Sequence, residues 1–266
     1  MREMHTRILV AIFLIPLALF ALTYGGVPLM IAFFSVASLG SYEYLKMMRN
    51  KGIQIGYHWI GLSSLSYILL LAFPEFESLV LWAILLIGLL EALAGWSGEH
   101  SIPKLFAALF GLVYTAVLPA FTVRIGLQYP QEKILLALIL MIWIVDSIAY
   151  FVGMKFGKNR NITAVSPRKS AEGFMAGVFA PWVIAIILSV FYPQVLPLGH
   201  LLIIAFAAGV FGQLGDLVES MLKRYCNVKD SSNLIPGHGG ILDRTDSVLL
   251  AGSFVYCALE FLLKVR

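Results

Sequence analysis

The sequence predicts an all-α, polytopic integral membrane protein with about nine transmembrane helices, and three observations support this. Of its 266 residues, 60% are hydrophobic and only 13% are charged, whereas soluble domains carry about 25% charged residues. The apolar residues form nine runs close to the ~20 residues that a helix needs to cross a bilayer. The basic residues fall mainly on one side of these runs. This composition excludes a soluble enzyme and a disordered chain, and two cysteines exclude a disulfide scaffold.

The apolar runs follow one another along the whole chain. They cover approximately residues 7–24, 27–47, 57–73, 78–96, 104–123, 133–155, 172–192, 197–222 and 245–263. The first run follows two arginines, as the core of a signal peptide does. Since no small-residue cleavage site comes after it and eight further runs do, we expect this helix to be retained.

The distribution of Lys and Arg predicts the orientation of the helices. With a cytoplasmic N-terminus, 15 of the 19 basic residues lie in inside segments and 4 in outside segments. Cytoplasmic segments of membrane proteins carry such an excess of basic residues. The sequence therefore predicts that the N-terminus faces the cytoplasm, in the cytoplasmic (inner) membrane if the protein is bacterial. Because the Lys and Arg residues are spread between the apolar runs and do not form one soluble basic face, a nucleic-acid partner is not expected.

The two parts of the chain differ in their acidic residues. All five aspartates lie at or after residue 146. We therefore expect residues 1–132 to form a scaffold of about five helices, and residues 133–266 to form a catalytic region of about four. The two longest inside segments, 156–171 and 223–245, belong to this second region, which places the expected active site at the cytoplasmic boundary.

Ionisable residues inside the later spans are the first functional candidates. Asp146 lies within the sixth apolar run, where an ionisable side chain is costly and usually functional. The eighth run carries a polar stripe with helical spacing, formed by Gly212, Asp216, Glu219, Ser220 and, at its end, Lys223. Such a stripe must face protein, water, metal or substrate.

Two basic segments could bind phosphate. Residues 153–158 look like a phosphate loop, but their glycine spacing is one residue short of the Walker pattern and Asn159 stands where Ser or Thr is needed. In the segment 166–173, Arg168 and Lys169 precede a helix that Ser170 or Ser166 could cap. Cations beside a helix N-terminus suit a polyphosphate.

Residues 220–246 are the most informative stretch. Proline and several glycines in residues 236–240 force a tight turn whose backbone N–H groups can hold phosphate oxygens. Asp243 and Asp246 lie three residues apart at the start of the last helix, so they share a face. Together with Asp216 they would offer the hard oxygen ligands that Mg²⁺ prefers. The surrounding cations are Lys223, Arg224, Lys229 and Arg244.

This stretch resembles the signature of the phosphatidate cytidylyltransferases, the CDP-diacylglycerol synthases. That signature runs Ser-x-apolar-Lys-Arg, then Lys-Asp, then His-Gly-Gly-apolar-x-Asp-Arg-x-Asp. The matching positions are Ser220, Leu222, Lys223, Arg224, Lys229, Asp230, His238, Gly239, Gly240, Ile241, Asp243, Arg244 and Asp246. The resemblance implies that phosphatidic acid and CTP give CDP-diacylglycerol and pyrophosphate. It also implies a homodimeric membrane enzyme that needs Mg²⁺, with a second cation possible.

The site residues are assigned on the motif and on this chemistry. The expected catalytic residues are Asp216, Lys223, Asp243, Asp246 and His238, of which the three aspartates would hold the metal, directly or through water. The expected substrate-binding residues are Ser220, Lys223, Arg224, Lys229, Arg244, Arg168, Lys169, Gly239 and Gly240. A second tier comprises Asp146, Glu219 and Asp230.

Two other functions remain open at this stage. A CTP-dependent lipid kinase would share the membrane setting, Mg²⁺ and CTP, but would release CDP. A cation-coupled transporter would also place carboxylates in its spans, but it would usually have interrupted helices or repeated halves. A transporter also gives no reason for a basic, glycine-rich loop at the membrane boundary.

Overall fold

The protein is α-helical, and its computed structural model describes the backbone of residues 2–265 and the side chains of residues 6 and 8–262. No β-strand occurs in this described part. The helices are α1 (Arg2–Tyr24), α2 (Gly26–Asn50), α3 (His58–Ala72), α4 (Glu77–Ala94), α5 (Ser101–Leu112), α6 (Leu118–Gln128), α7 (Ile134–Phe156), α8 (Ala171–Phe191), α9 (Leu198–Phe206), α10 (Gln213–Tyr225) and α11 (Leu242–Val265). The predicted all-α fold class is confirmed.

Two π-helical segments join neighbouring helices into longer ones. Val113–Val117 connects α5 to α6, and Ala207–Gly212 connects α9 to α10. The second segment contains Gly209, where a Cβ would come within 2.8 Å of the Val178 carbonyl oxygen on α8. Within residues 2–265, the eleven α-helices therefore form nine continuous helical stretches, each overlapping one of the nine apolar runs predicted from the sequence.

In the part of the chain that the structure describes, seven helices are long and apolar enough to cross a membrane. They include Gly98–Gln128 and Leu198–Tyr225, which contain the two π segments. Two shorter apolar helical segments accompany them, Ile8–Tyr24 within α1 and His58–Ala72. Seven of the predicted spans thus have the length and apolar composition of membrane-crossing helices, which is consistent with a polytopic membrane protein. The remaining two are helical as expected.

The chain divides into two compact units that are not contiguous in sequence. Unit 1 comprises Met1–Ile15, Met30–Ala120 and Lys223–Arg244, and unit 2 comprises Pro16–Leu29, Phe121–Leu222 and Thr245–Arg266. The loop between α10 and α11 therefore belongs to unit 1, although it lies near the end of the chain. Each unit contains one group of the site residues predicted from the sequence.

Within unit 1, α2 packs closely against α5, and this packing fixes the position of α2. The Tyr44 hydroxyl donates to the Ala107 carbonyl oxygen at 2.8 Å, and its ring occupies the space where a side chain at residue 111 would lie. Only glycine at position 111 allows this approach. Tyr67 on α3 donates to the Met30 carbonyl oxygen, also at 2.8 Å.

Within unit 2, α7 and α8 pack closely through glycines. A Cβ on Gly173 would lie 2.6 Å from the Ala149 carbonyl oxygen and 3.0 Å from the Gly153 Cα. Ser170 precedes α8 and accepts a hydrogen bond from the Gly173 backbone N–H at 3.2 Å. Ser170 is therefore the N-cap, one of the two candidates that the sequence offered.

Candidate active site

The loop between α10 and α11 (residues 226–241) is folded back on itself at its tip. Ile235 and Gly239 pair through their backbones, and the His238 N–H donates to the Ile235 carbonyl oxygen at 2.9 Å. Gly237 and Gly239 have φ values of 75° and 86°, which side-chain-bearing residues rarely adopt. Proline followed by such a glycine is typical of a type II turn. The tight turn predicted from the sequence is present.

Asp243, in the first turn of α11, is the centre of the polar contacts in unit 1. Its Oδ1 accepts a hydrogen bond from the Lys223 Nζ at 2.6 Å. Its Oδ2 accepts from the Ser231 N–H, the Ser231 hydroxyl and the Gly240 N–H, at 2.8, 2.9 and 2.8 Å. Only 5% of the Asp243 side chain and 13% of the Lys223 side chain are exposed. The structure thus pairs two predicted catalytic residues and ties both to the loop.

A fully buried carboxylate in α2, Glu43, also contacts this loop. Its Oε1 accepts from the Ser232 hydroxyl at 2.5 Å and the Ile241 N–H at 2.9 Å. Its Oε2 accepts from the Ser231 hydroxyl at 3.0 Å and the Leu242 N–H at 2.9 Å. The sequence analysis did not select Glu43, although an acidic residue inside an apolar run was a signal that could have identified it.

Several predicted phosphate-binding residues of unit 1 are solvent-accessible. Arg224, Lys229 and Arg244 have exposed side chains, and His238 is partly buried. The Arg244 Nε donates to the His238 carbonyl oxygen at 2.9 Å, so this arginine supports the tip of the loop. Cys226 lies at the start of the same loop, and burial raises the pKa of its thiol. The cations, and not the cysteine, are therefore the groups available to an anionic substrate.

Unit 2 brings together a second group of predicted residues. The Lys169 Nζ forms an ion pair with the Asp216 Oδ2, which joins the segment before α8 to α10. Asp146, on α7 of the same unit, has an exposed side chain. Lys169 is thus in a position to contact an anion that binds near Asp216.

The backbones of α10 and α11 approach each other at Gly215, the residue before Asp216. A Cβ on Gly215 would overlap the backbone of Asp246 and Ser247, so no other residue fits there without a shift. The Asp246 side chain is buried, and its Oδ1 accepts from the Ser247 N–H at 2.7 Å. Glu219 on α10 is fully buried.

The glycines of residues 153–158 have a packing role. A Cβ on Gly157 would overlap the Gly153 carbonyl oxygen and come within 2.7 Å of the Ser170 hydroxyl. Asn159, next along the chain, donates its backbone N–H and its amide to the Glu172 carboxylate. These contacts join the end of α7 to the start of α8, so they explain the glycine spacing without a phosphate loop.

Among the residues whose side chains the structure describes, no group of three or more His, Cys, Asp or Glu side chains is gathered as a metal site. Asp243 belongs to unit 1, whereas Asp216 and Asp246 belong to unit 2. The predicted three-aspartate magnesium site therefore stays a prediction.

Comparisons with known proteins agree with the motif. Residues 5–262 match the model of a family described as the cytidylyltransferase family. The phosphatidate cytidylyltransferase of Bacillus subtilis is 34% identical, over 97% of this chain and 98% of that protein. That of Staphylococcus saprophyticus is 32% identical, over 98% and 99%. Phosphatidate cytidylyltransferase 4, chloroplastic, of Arabidopsis thaliana is 31% identical, over 91% and 69%.

Proposed function

The chain belongs to the cytidylyltransferase family, and from this premise we propose that it transfers a cytidylyl group from CTP to phosphatidic acid. The products are CDP-diacylglycerol and pyrophosphate. The observation that carries this function is the unbroken signature in residues 220–246, found in a chain that matches its relatives over nearly the whole length. Family membership favours neither the lipid kinase nor the transporter.

The reaction needs positioning and charge stabilisation more than a strong base. An oxygen of the phosphatidate phosphate, already anionic, attacks the α-phosphorus of CTP. The new bond joins this oxygen to the α-phosphorus, and the bond from the α-phosphorus to the oxygen bridging to the β-phosphorus breaks. Pyrophosphate leaves with that oxygen and its electron pair. The barrier comes from bringing anions together, so cationic groups that are already in place lower it.

The cations of this chain fit those tasks. Lys223 is held in place by Asp243, and a fixed ammonium can stabilise charge on a phosphoryl oxygen without reorganising. Arg224, Lys229 and Arg244 are exposed on or beside the loop, where they can bind the triphosphate or the lipid phosphate. Arg168 is exposed and Lys169 is half-buried at the start of α8, and we assign both to phosphate binding as well.

We further propose that Asp216, Asp243 and Asp246 hold Mg²⁺. The ligand chemistry fits, because all three supply hard carboxylate oxygens and Asp216 already accepts a cation, the Lys169 ammonium. On Asp243 the Oδ1 already pairs with a cation, the Lys223 ammonium, whereas three hydrogen-bond donors occupy the Oδ2. When bound, Mg²⁺ would neutralise triphosphate charge and stabilise the leaving pyrophosphate.

The chain is an integral membrane protein, and we propose that its N-terminus and the α10–α11 loop face the cytoplasm. The 15-to-4 distribution of basic residues supports this orientation. CTP is water-soluble and phosphatidate stays in the leaflet, so a site at the inner boundary serves both substrates. A cysteine at exposed Asn233 should then react with an impermeant reagent only from the cytoplasmic side, and one at Gln194 only from outside.

We also propose a homodimer, whose mass in detergent can be measured by light scattering.

The product released into solution distinguishes the proposed function from the lipid kinase. Purified protein incubated with phosphatidate, CTP and Mg²⁺ should release pyrophosphate in an amount equal to the cytidine-containing lipid formed. A kinase would leave no cytidine in the lipid and would release CDP. Chromatography of the soluble products checks this, and CDP without pyrophosphate would exclude cytidylyl transfer.

A further inference from the structure

We propose that Glu43 is a positioning residue for the active site, one that fixes the α10–α11 loop and thereby the Asp243–Lys223 pair. It lies in the part of the chain that the sequence analysis assigned to a scaffold, at least 188 residues from its partners in the loop. The proposal rests on the proposed function for its kinetic consequences. The contacts that carry it all lie within unit 1.

The first argument is the number of donors that Glu43 satisfies. Its two oxygens accept hydrogen bonds from two backbone N–H groups and the Ser232 hydroxyl, and they share the single proton of the Ser231 hydroxyl with Asp243, at 2.5 to 3.0 Å from Glu43. The side chain is 0% exposed, so water cannot replace any of these donors. A buried carboxylate is retained only where hydrogen bonds compensate its desolvation. Here all the compensating donors lie in residues 231–242, that is, in the α10–α11 loop and at the first residue of α11.

The second argument is the location of the two backbone donors. Leu242 is the first residue of α11, and Ile241 directly precedes it. Backbone N–H groups at the start of a helix have no partner within the helix and carry partial positive charge. The Glu43 carboxylate therefore caps α11 from another helix, and it fixes the point from which Asp243 projects.

The third argument is the connection from Glu43 to Asp243. The Ser231 hydroxyl lies 3.0 Å from the Glu43 Oε2 and 2.9 Å from the Asp243 Oδ2. Gly240 donates to Asp243 and leaves no space, since a Cβ there would overlap the Ser231 hydroxyl and approach both Glu43 oxygens. With no gap between these groups, a shift of Glu43 must displace Ser231, and through it Asp243.

Glu43→Gln tests the proposal with little change in shape. The amide nitrogen of glutamine would face a backbone N–H of Ile241 or Leu242, and two donors cannot bond each other. We expect kcat to fall about 10- to 100-fold, the usual effect of removing an outer group that orients catalytic residues. The KM for CTP should change less than about threefold, because several exposed cations bind the triphosphate. Hydrogen exchange of the Ile241 and Leu242 amides should become faster, while α7 stays protected.

Glu91→Gln is the matched control. Glu91 is also an acidic residue in an apolar helix of unit 1, but its partners are His58, Trp59 and Lys104, at 2.7 to 3.0 Å. Since none of these belongs to the loop, kcat per folded protein should stay within about twofold of the wild-type value. Equal losses in the two variants would mean that any carboxylate in an apolar helix of unit 1 matters in the same way, and would overturn the proposal.

A double-mutant cycle tests the connection through Ser231. If Glu43 acts through this hydroxyl and the loop, Glu43→Gln combined with Ser231→Ala should lower kcat little further than Glu43→Gln alone. Losses that multiply would overturn the connection. Should Glu43→Gln fail to fold, Ser231→Ala alone must still lower kcat and speed exchange at Gly240, and a wild-type result there would refute the proposal.

The kinetic and exchange results keep this proposal separate from the proposed function. A wild-type protein that makes no CDP-diacylglycerol contradicts the proposed function, whereas unchanged amide exchange in Glu43→Gln contradicts the positioning role. Normal kcat in Glu43→Gln, measured beside an active wild type, also overturns the positioning role and leaves the proposed function intact.

Discussion

Replacing Asp216, Asp243 or Asp246 by asparagine is expected to lower turnover at least ~100-fold, equivalent to about 2.7 kcal/mol of transition-state stabilisation. Each substitution removes a negative charge from a proposed Mg²⁺ ligand while nearly keeping the shape of the side chain. In Asp243→Asn the amide nitrogen would also face either Lys223 or the donors from Ser231 and Gly240. Initial rates at varied Mg²⁺ concentration measure the effect.

Glu75→Gln is the control for these three variants. Glu75 is exposed in the short 3-10 helix Pro74–Phe76, so the loss of its charge should change turnover little. Near-normal turnover and unchanged Mg²⁺ dependence in all three aspartate variants would contradict the metal proposal. A loss of activity that follows only from loss of folded protein would show that the carboxylates are structural.

Gly240→Ala is expected to lower turnover about 100-fold, since a misplacement of about 1 Å at a reacting group can have an effect of that size. The added methyl group would overlap the Ser231 hydroxyl and press on both Glu43 oxygens. The loop must move to admit it, and the hydrogen bond from the Gly240 N–H to Asp243 moves with it. Turnover of the purified variant, normalised to folded protein, checks this.

Gly61→Ala provides the comparison for the same chemical change. Gly61 lies in α3, and a Cβ there would have nothing within 4 Å. Because alanine favours helix over glycine, this variant should be as stable as the wild type or slightly more stable. Wild-type turnover in Gly240→Ala would contradict the tight packing between the loop and α2.

The positions of the helices along the chain could be predicted because they depend on local sequence. Hydropathy and length located nine helical stretches among the residues that the structure describes. The excess of Lys and Arg residues in the segments assigned to the inside gave an orientation to propose. The two π segments could not be foreseen, since a residue such as Gly209 reveals its role only when α8 packs against it. The two units could not be foreseen either, because each joins segments that are distant in the chain.

The candidate site was predictable where its residues form a contiguous motif. The fixed spacing from Ser220 to Asp246 identified the family, and the structure shows a hydrogen bond between two residues of this motif, Lys223 and Asp243. Glu43 was missed because its importance comes from partners 188 to 199 residues away. The glycines at 153 and 157 suggested a phosphate loop, but their function is helix packing, which only the tertiary contacts reveal.

The fate of the α-phosphorus of CTP tests the central claim most directly. Purified protein is given phosphatidate, Mg²⁺ and CTP labelled at either the α- or the γ-phosphate, and the extracted lipid is counted. Cytidylyl transfer predicts that the α-label enters the lipid as CDP-diacylglycerol while the γ-label stays in the water phase as pyrophosphate. Entry of the γ-label into the lipid, with the α-label remaining in CDP, would contradict it.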